Sequence, residues 1–204
     1  GGLVLIGVGL GPGDPQLLTL KAVNVLTSAI KVFVPGRISY KLAKPYADPE
    51  ILHFPMTYDE AELEAAWHDN VEAIAAYAVT GLTAFGVVGD PNVFSTFSHV
   101  SKMLRRRMPH IDVETVPGVS SITASFSRFD ESIEGSFVVS DGSAVQSTLV
   151  LKATKPHEIA ASLQKRGFFD LTLLENGFTE RERVYKKDFP LKGEYFSIMY
   201  GKRP

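Results

Sequence analysis

Leu3-Val-Leu-Ile-Gly-Val-Gly-Leu-Gly-Pro-Gly-Asp-Pro15 is the stretch that decides the fold. An apolar run passes into a loop with glycine at Gly7, Gly9, Gly11 and Gly13, and Gln16-Leu-Leu-Thr-Leu-Lys-Ala-Val23 follows as a helix. Strand, glycine-rich turn and helix is the order in which a parallel α/β sheet offers a ligand site at the carboxyl end of its first strand. Glycine lets backbone approach a ligand, because no Cβ intervenes. The familiar phosphate motifs do not fit. Counted from Gly7, a dinucleotide fingerprint needs glycine where Pro12 stands, and Asp14 follows Gly13 where a P-loop needs lysine. An acidic residue at the mouth also argues against a polyphosphate. A tight turn without any ligand is the plain alternative.

Two further turns share this character. Leu82–Val88 is a buried strand that runs into Gly89-Asp90-Pro91, and Ile111–Val116 runs into Pro117-Gly-Val-Ser-Ser121. Strands in an open parallel sheet end along one edge, so the three turns are expected to line one crevice. They are rich in backbone donors and acceptors, and lightly acidic through Asp14 and Asp90. Such a crevice suits an uncharged or cationic small molecule. The five histidines are scattered, no Ser-His-Asp spacing stands out, and no metal-ligand pair is expected.

Outward from these turns, the apolar spacing predicts a helix over Pro15–Ser28 and a strand over Ile30–Val34. A short helix over Ile38–Ala47 and a short strand over Ile51–Phe54 come next. Thr57-Tyr-Asp-Glu60 fits a capping box, and Leu63, Trp67, Val71, Ile74 and Ala78 make one apolar helical stripe up to Gly81. Phe94–Met108 reads as a helix with Phe94, Phe97, Val100 and Leu104 inward, and Ser120–Arg128 as a short one. Phe129–Gly135 is polar and irregular, and a domain boundary is expected near it. Beyond it, Phe137–Val139, Thr148–Leu151, Leu171–Leu174 and Tyr195–Tyr200 read as strands. Pro156–Lys165 is a helix between the second and third of them, Asn176-Gly177 a turn, and Glu182–Tyr185 the start of a return strand. The expected architecture is two α/β domains, residues 1–118 with a mostly parallel sheet and residues 119–204 with a mixed one.

Composition narrows the class. Of 204 residues, 45% are hydrophobic and 22% charged, as in ordinary globular chains. A net charge of −2 makes no electrostatic case for nucleic acid. The absence of cysteine excludes disulfides and thiolate chemistry and suits the cytoplasm. No apolar run nears the ~20 residues of a membrane helix, and no leader of basic residues followed by an apolar core opens the chain.

Taken together, three segments resemble the tetrapyrrole (corrin/porphyrin) methyltransferases, which use S-adenosylmethionine. They are Gly7-x-Gly-Leu-Gly-Pro-Gly-Asp-Pro-Gln-Leu-Leu-Thr-Leu-Lys-Ala22, Gly89-Asp-Pro-x-Val-Phe-Ser95 and Val116-Pro-Gly-Val-Ser-Ser121. Thr148-Leu-Val-Leu-Lys-Ala153 and Leu174-Glu-Asn-Gly177 continue the match. Leu17–Ala22, Phe54–Thr57, Trp67, Asp90–Ser98 and Tyr195–Met199 resemble the branch that methylates precorrin-2 or cobalt-factor II at C20 in cobalamin biosynthesis. The resemblance implies a cofactor cleft between the domains. Leu10 and Pro12 would stand on its cofactor side, and Gly9, Gly11 and Gly13 on the tetrapyrrole side, joined by Tyr58 and Lys152. Val88, Gly89, Asp90 and Val93 would contact S-adenosylmethionine largely through backbone, Ser120 and Ser121 its amino-acid end, and Ala153 and Gly177 its adenosine. Asp14 and Asp90 are the acid–base candidates, although Asp14 equally suits a carboxylate at a helix N-terminus. A homodimer is also implied. Methylation at C11 or C17, and binding without turnover, are the alternatives.

Overall fold

The computed structural model describes residues 2–55 and 59–204. The chain forms two units, Gly1–Ser136 and Phe137–Pro204. The expected division after Gly118 thus moves downstream. Gly118 is held by hydrogen bonding and close packing to the turns before it, and the two short helices that follow stay with the first unit.

In the first unit, strands β1 (Val4–Gly9), β2 (Lys31–Val34), β3 (Glu50–Ile51), β4 (Leu82–Val87) and β5 (Asp112–Val116) form one parallel sheet in the order β3-β2-β4-β1-β5. Helices α1 (Leu20–Ser28), α2 (Arg37–Ala43), α3 (Glu60–Ala78) and α4 (Phe97–Arg107) cover it, and α5 (Ser121–Ala124) and α6 (Phe126–Phe129) follow β5. Period-two side-chain alternation divides the strands between two cores. Leu5, Phe33, Phe85 and Val87 pack with Val71, Ile74, Val100 and Leu104 of α3 and α4. Ile6, Val8, Val32, Val34 and Ala84 pack with Ala22, Leu26, Leu42 and Ala43 of α1 and α2. Burial on both faces explains why these strands read as continuous apolar runs.

The second unit holds β6 (Ser147–Leu151), α7 (Pro156–Lys165), β7 (Asp170–Glu175), β8 (Arg183–Tyr185) and β9 (Ser197–Lys202). Its sheet has the order β6-β9-β7-β8, and every pairing is antiparallel, so the mixed sheet is corrected. Leu163 of α7, Phe168, Leu173 and Met199 make its core. No described helix is long and apolar enough to cross a membrane.

Three local expectations also change. The first helix starts late: Asp14 caps a 3-10 turn at Pro15–Leu17, and Thr19 Oγ1 accepts from Ala22 N at 3.1 Å to start α1. Helix α3 is capped by Asp59, whose Oδ1 accepts from Ala61 N and Glu62 N. Thr57, from which a capping box is expected, lies outside the described residues, as does Tyr58 and as do the side chains of Glu60 and Leu63. Phe137–Val139 is no strand, and it is exposed.

Candidate active site

The three adjacent strands β4-β1-β5 end in the three turns. The topology therefore sets those turns side by side, and their backbones interlock. Leu10 N donates to Val87 O at 2.8 Å, and Gly89 N donates to Gly11 O at 2.7 Å across an isolated antiparallel bridge. That bridge uses left-handed backbone on both sides, with φ of 76° at Gly11 and 72° at Gly89. Only glycine takes such angles without strain. The third turn packs in without side chains. A Cβ on Gly118 would lie 2.2 Å from Gly89 O, and one on Gly9 would lie 2.5 Å from Gly118 N.

Asp90 clasps the second turn to the third. Its Oδ2 accepts from Gly118 N at 3.1 Å and its Oδ1 from Asn92 N at 2.8 Å. Asn92 Nδ2 donates to Thr115 Oγ1 at 3.1 Å, which ties the same turn to β5. At the first turn, Asp14 is exposed and its Oδ1 accepts from Gln16 N at 2.9 Å. The helix-terminal reading of Asp14 therefore has its hydrogen bond, on a 3-10 turn and not an α-helix. Ser120 Oγ accepts from Ile122 N at 3.2 Å and caps α5, while Ser121 is exposed beside it.

Residues 7–15, 88–95 and 116–121 contain two carboxylates, Asp14 and Asp90, and no lysine, arginine or histidine. Opposite charges attract and like charges repel across such short distances. The turns accordingly suit a cationic ligand and disfavour a pyrophosphate. That chemistry fits a sulfonium cofactor.

Gly9, Leu10, Gly11, Gly89 and Asp90 are brought together by the bonds and contacts above. The Leu10 side chain is buried against Gly86, so its backbone is what remains for a ligand. Pro12 is half-buried, and Gly13 is exposed at the tip of the first turn. Val88 and Val93 are partly exposed around the second. Three candidates belong to the second unit. Ala153 is fully buried in that unit's core. Lys152 is exposed at φ 53°, with Nζ 5.2 Å from the Tyr195 ring centroid. Gly177 lies half-buried in the turn after β7, where Asn176 has φ 48°.

Sequence reasoning missed two features here. Gly118 matters through close approach, for which the Pro-Gly pair directly after a strand was the available signal. Phe94 was expected inward on α4. Instead it precedes the helix, 71% exposed, with φ 47°. Ser95, whose Oγ accepts from Phe97 N at 3.1 Å, was the overlooked mark of a later helix start.

A family model for tetrapyrrole (corrin/porphyrin) methylases matches residues 4–187. A Methanocaldococcus jannaschii protein named "probable cobalt-precorrin-2 C(20)-methyltransferase" is 33% identical over 87% of this chain and 84% of its own length. The Salmonella typhimurium cobalt-precorrin-2 C(20)-methyltransferase is 31% identical over 79% of this chain and 68% of its own. The solved structure of precorrin-6Y methylase from Archaeoglobus fulgidus superposes with a TM-score of 0.51 at 19% identity, covering 100% of both chains, which shows a shared fold. With its parallel-sheet turns, its antiparallel second sheet and these matches, the chain belongs to the tetrapyrrole (corrin/porphyrin) methylases.

Proposed function

We propose that the chain is an S-adenosylmethionine-dependent C-methyltransferase of cobalamin biosynthesis that methylates C20 of precorrin-2 or cobalt-factor II. The observation that carries this reading is the 33% identity, over 87% of the chain, to a relative named for that reaction. The interlocked, cation-compatible turns support it.

When bound, S-adenosylmethionine supplies a methyl group already activated on sulfur. What remains for the protein is orientation, which can lower a barrier by several kcal/mol without any strong acid or nucleophile. Val88, Gly89, Asp90 and Val93 would hold the cofactor beside the rim formed by Gly9, Leu10, Gly11 and Pro12. Ser120 and Ser121 are the residues proposed for its amino-acid end, and Ala153 and Gly177 for its adenosine. Gly9, Gly11 and Gly13, with Tyr58 and Lys152, are those proposed for the tetrapyrrole.

The acceptor carbon gains a bond to methyl and must lose its proton. Asp14 is the carboxylate we assign to accept that proton, since it is exposed and its backbone bond from Gln16 N goes to Oδ1, not Oδ2. Both oxygens of Asp90 already accept backbone N–H groups, so its part is to hold the turns.

A homodimer in the cytoplasm completes the proposal. Leu149, Leu151 and Val184 are 62%, 67% and 55% exposed on the sheet face opposite the second unit's core, which supports a partner copy. The test is incubation with S-adenosylmethionine and either precorrin-2 or cobalt-factor II. One added methyl by mass, located at C20 by NMR, is expected, from a species sedimenting at twice the 22.3 kDa chain mass. Methyl transfer to neither substrate overturns the activity, and transfer at C11 or C17 reassigns it.

A further inference from the structure

Phe94 stands in the turn between β4 and α4 with φ 47°. A bulky side chain on left-handed backbone is a true outlier and persists only where its surroundings enforce it. Here the enforcement is visible on both sides. Asn92 N is bonded to Asp90 Oδ1, Val93 N to Asp90 O at 3.3 Å, and Asn92 Nδ2 to Thr115 Oγ1. Beyond Phe94, Ser95 Oγ accepts from Phe97 N.

The ring gains little from the fold in return. It is 71% exposed and joins no aromatic or cation–π pair among the described residues. The packing role belongs to its neighbour Phe97, which is buried on Gly7 and beside Phe85. Strain and exposure both count against stability, so the use of the Phe94 ring lies outside the folded chain. Its setting says what that use is. The same turn carries Gly89, which is bonded directly to Gly11 of the first turn. Val88 and Val93 add partly exposed apolar surface nearby, and Val93–Val100 contains no acidic residue, lysine or arginine. An apolar, aromatic rim beside a methyl-transfer site suits a flat conjugated ligand, which stacks on an aromatic face.

We propose that Phe94 is a positioning residue for the substrate, the aromatic platform on which the tetrapyrrole ring lies during methyl transfer. The inference rests on the proposed function. Its strained backbone aims and immobilises the ring before the macrocycle arrives.

The test compares Phe94→Gly, Phe94→Leu and Phe94→Tyr in the full chain. Thermal melting, S-adenosylhomocysteine binding by calorimetry, cobalt-factor II binding by its visible absorption, and steady-state kinetics are measured on each. Glycine relieves the left-handed backbone, so Phe94→Gly should melt at or above the wild-type temperature. It should bind S-adenosylhomocysteine within about twofold of wild type, and cobalt-factor II about tenfold more weakly, with the loss in KM more than in kcat. Phe94→Tyr should restore tetrapyrrole affinity and Phe94→Leu should not. Unchanged tetrapyrrole affinity in Phe94→Gly, equal loss for both ligands, or a Leu variant as good as wild type each overturns the proposal. If Phe94→Gly fails to fold, the Leu and Tyr comparison still decides. A wild-type protein that binds cobalt-factor II but not through Phe94 leaves the function standing. One that binds no tetrapyrrole removes both.

Discussion

Asp90 joins two turns with one carboxylate, and that makes it the residue whose chemistry is easiest to misassign. Its position among turns that carry acidic side chains and no basic ones invites an acid–base role, while its two backbone hydrogen bonds describe a clasp. Asn is nearly isosteric but carries one acceptor oxygen. In Asp90→Asn, either Gly118 N or Asn92 N must therefore face an NH2 group. A donor left facing a donor costs about 1–3 kcal/mol, toward the lower figure where water can reach the group, as at half-buried Asp90. We expect the urea midpoint and the affinity for S-adenosylhomocysteine to fall together in Asp90→Asn. Intact stability and affinity with loss of kcat alone would return Asp90 to the acid–base role. Gly118 shows the limit of residue-level reading. Its importance comes from a 2.2 Å approach between a missing Cβ and Gly89 O, which no property of glycine in isolation announces.

At the scale of elements, β3 shows how little holds an edge. It has two residues, paired with Phe33 and Val34 of β2. Lys31 Nζ reaches Glu50 Oε2 at 2.6 Å and lies 5.5 Å and 5.3 Å from the Phe33 and Tyr77 ring centroids. The hydrogen bond to Glu50 raises the Lys31 ammonium above its ordinary 10.5, with burial opposing. A raised lysine value means the folded state holds the proton more tightly. The stabilisation is complete below the unfolded value and is lost as pH rises through the folded one. Glu50 is half-exposed, so Glu50→Gln should cost less than ~1 kcal/mol at about pH 8. Urea unfolding at about pH 11.5 should show a smaller difference between variant and wild type. A difference that grows with pH would refute the pairing. The parallel strands were legible because burial on both faces leaves unbroken apolar runs such as Val32–Val34. The start of α1 was not legible, since Pro15 and Thr19 both carry start signals four residues apart and the spacing of Leu17 and Leu20 suits one helix as well as two. Phe137–Val139 misled for another reason. Its β-branched and aromatic content suits a strand, yet strand preference is realised only against a neighbouring strand and a covered face, and these residues are 49%, 80% and 45% exposed.

At the scale of the whole molecule, buried residues fall into two clusters in the first unit, one on each face of its sheet, and a third in the second unit. The change of character at Phe129–Gly135 was visible as loss of apolar period, and the structure divides the chain between Ser136 and Phe137. The exact division was hidden because Val119–Phe129 is tethered through Gly118 to turns more than twenty residues earlier. Between Phe129 and Ser147 the chain has no helix or strand, and every residue is exposed. Its backbone N–H groups bond locally, Glu131 N to Phe126 O, Gly142 N to Ser140 Oγ and Ser143 N to Asp141 Oδ1, while at its far end Gln146 O accepts from distant Arg203 N at 2.9 Å. A protease needs an extended stretch of about ten residues, and local opening is least costly where few contacts must break. The strands of both units carry ladder bonds and buried side chains, so their opening costs more. A glutamate-specific protease at low dose should therefore cut first after Glu131 or Glu134, leaving two fragments that end and begin near residue 136. Mass spectrometry of the first products gives the answer. First cuts after Glu175 or within α3 would mean that the lowest-cost opening lies inside a unit, and that residues 130–146 are held by more than the contacts seen here.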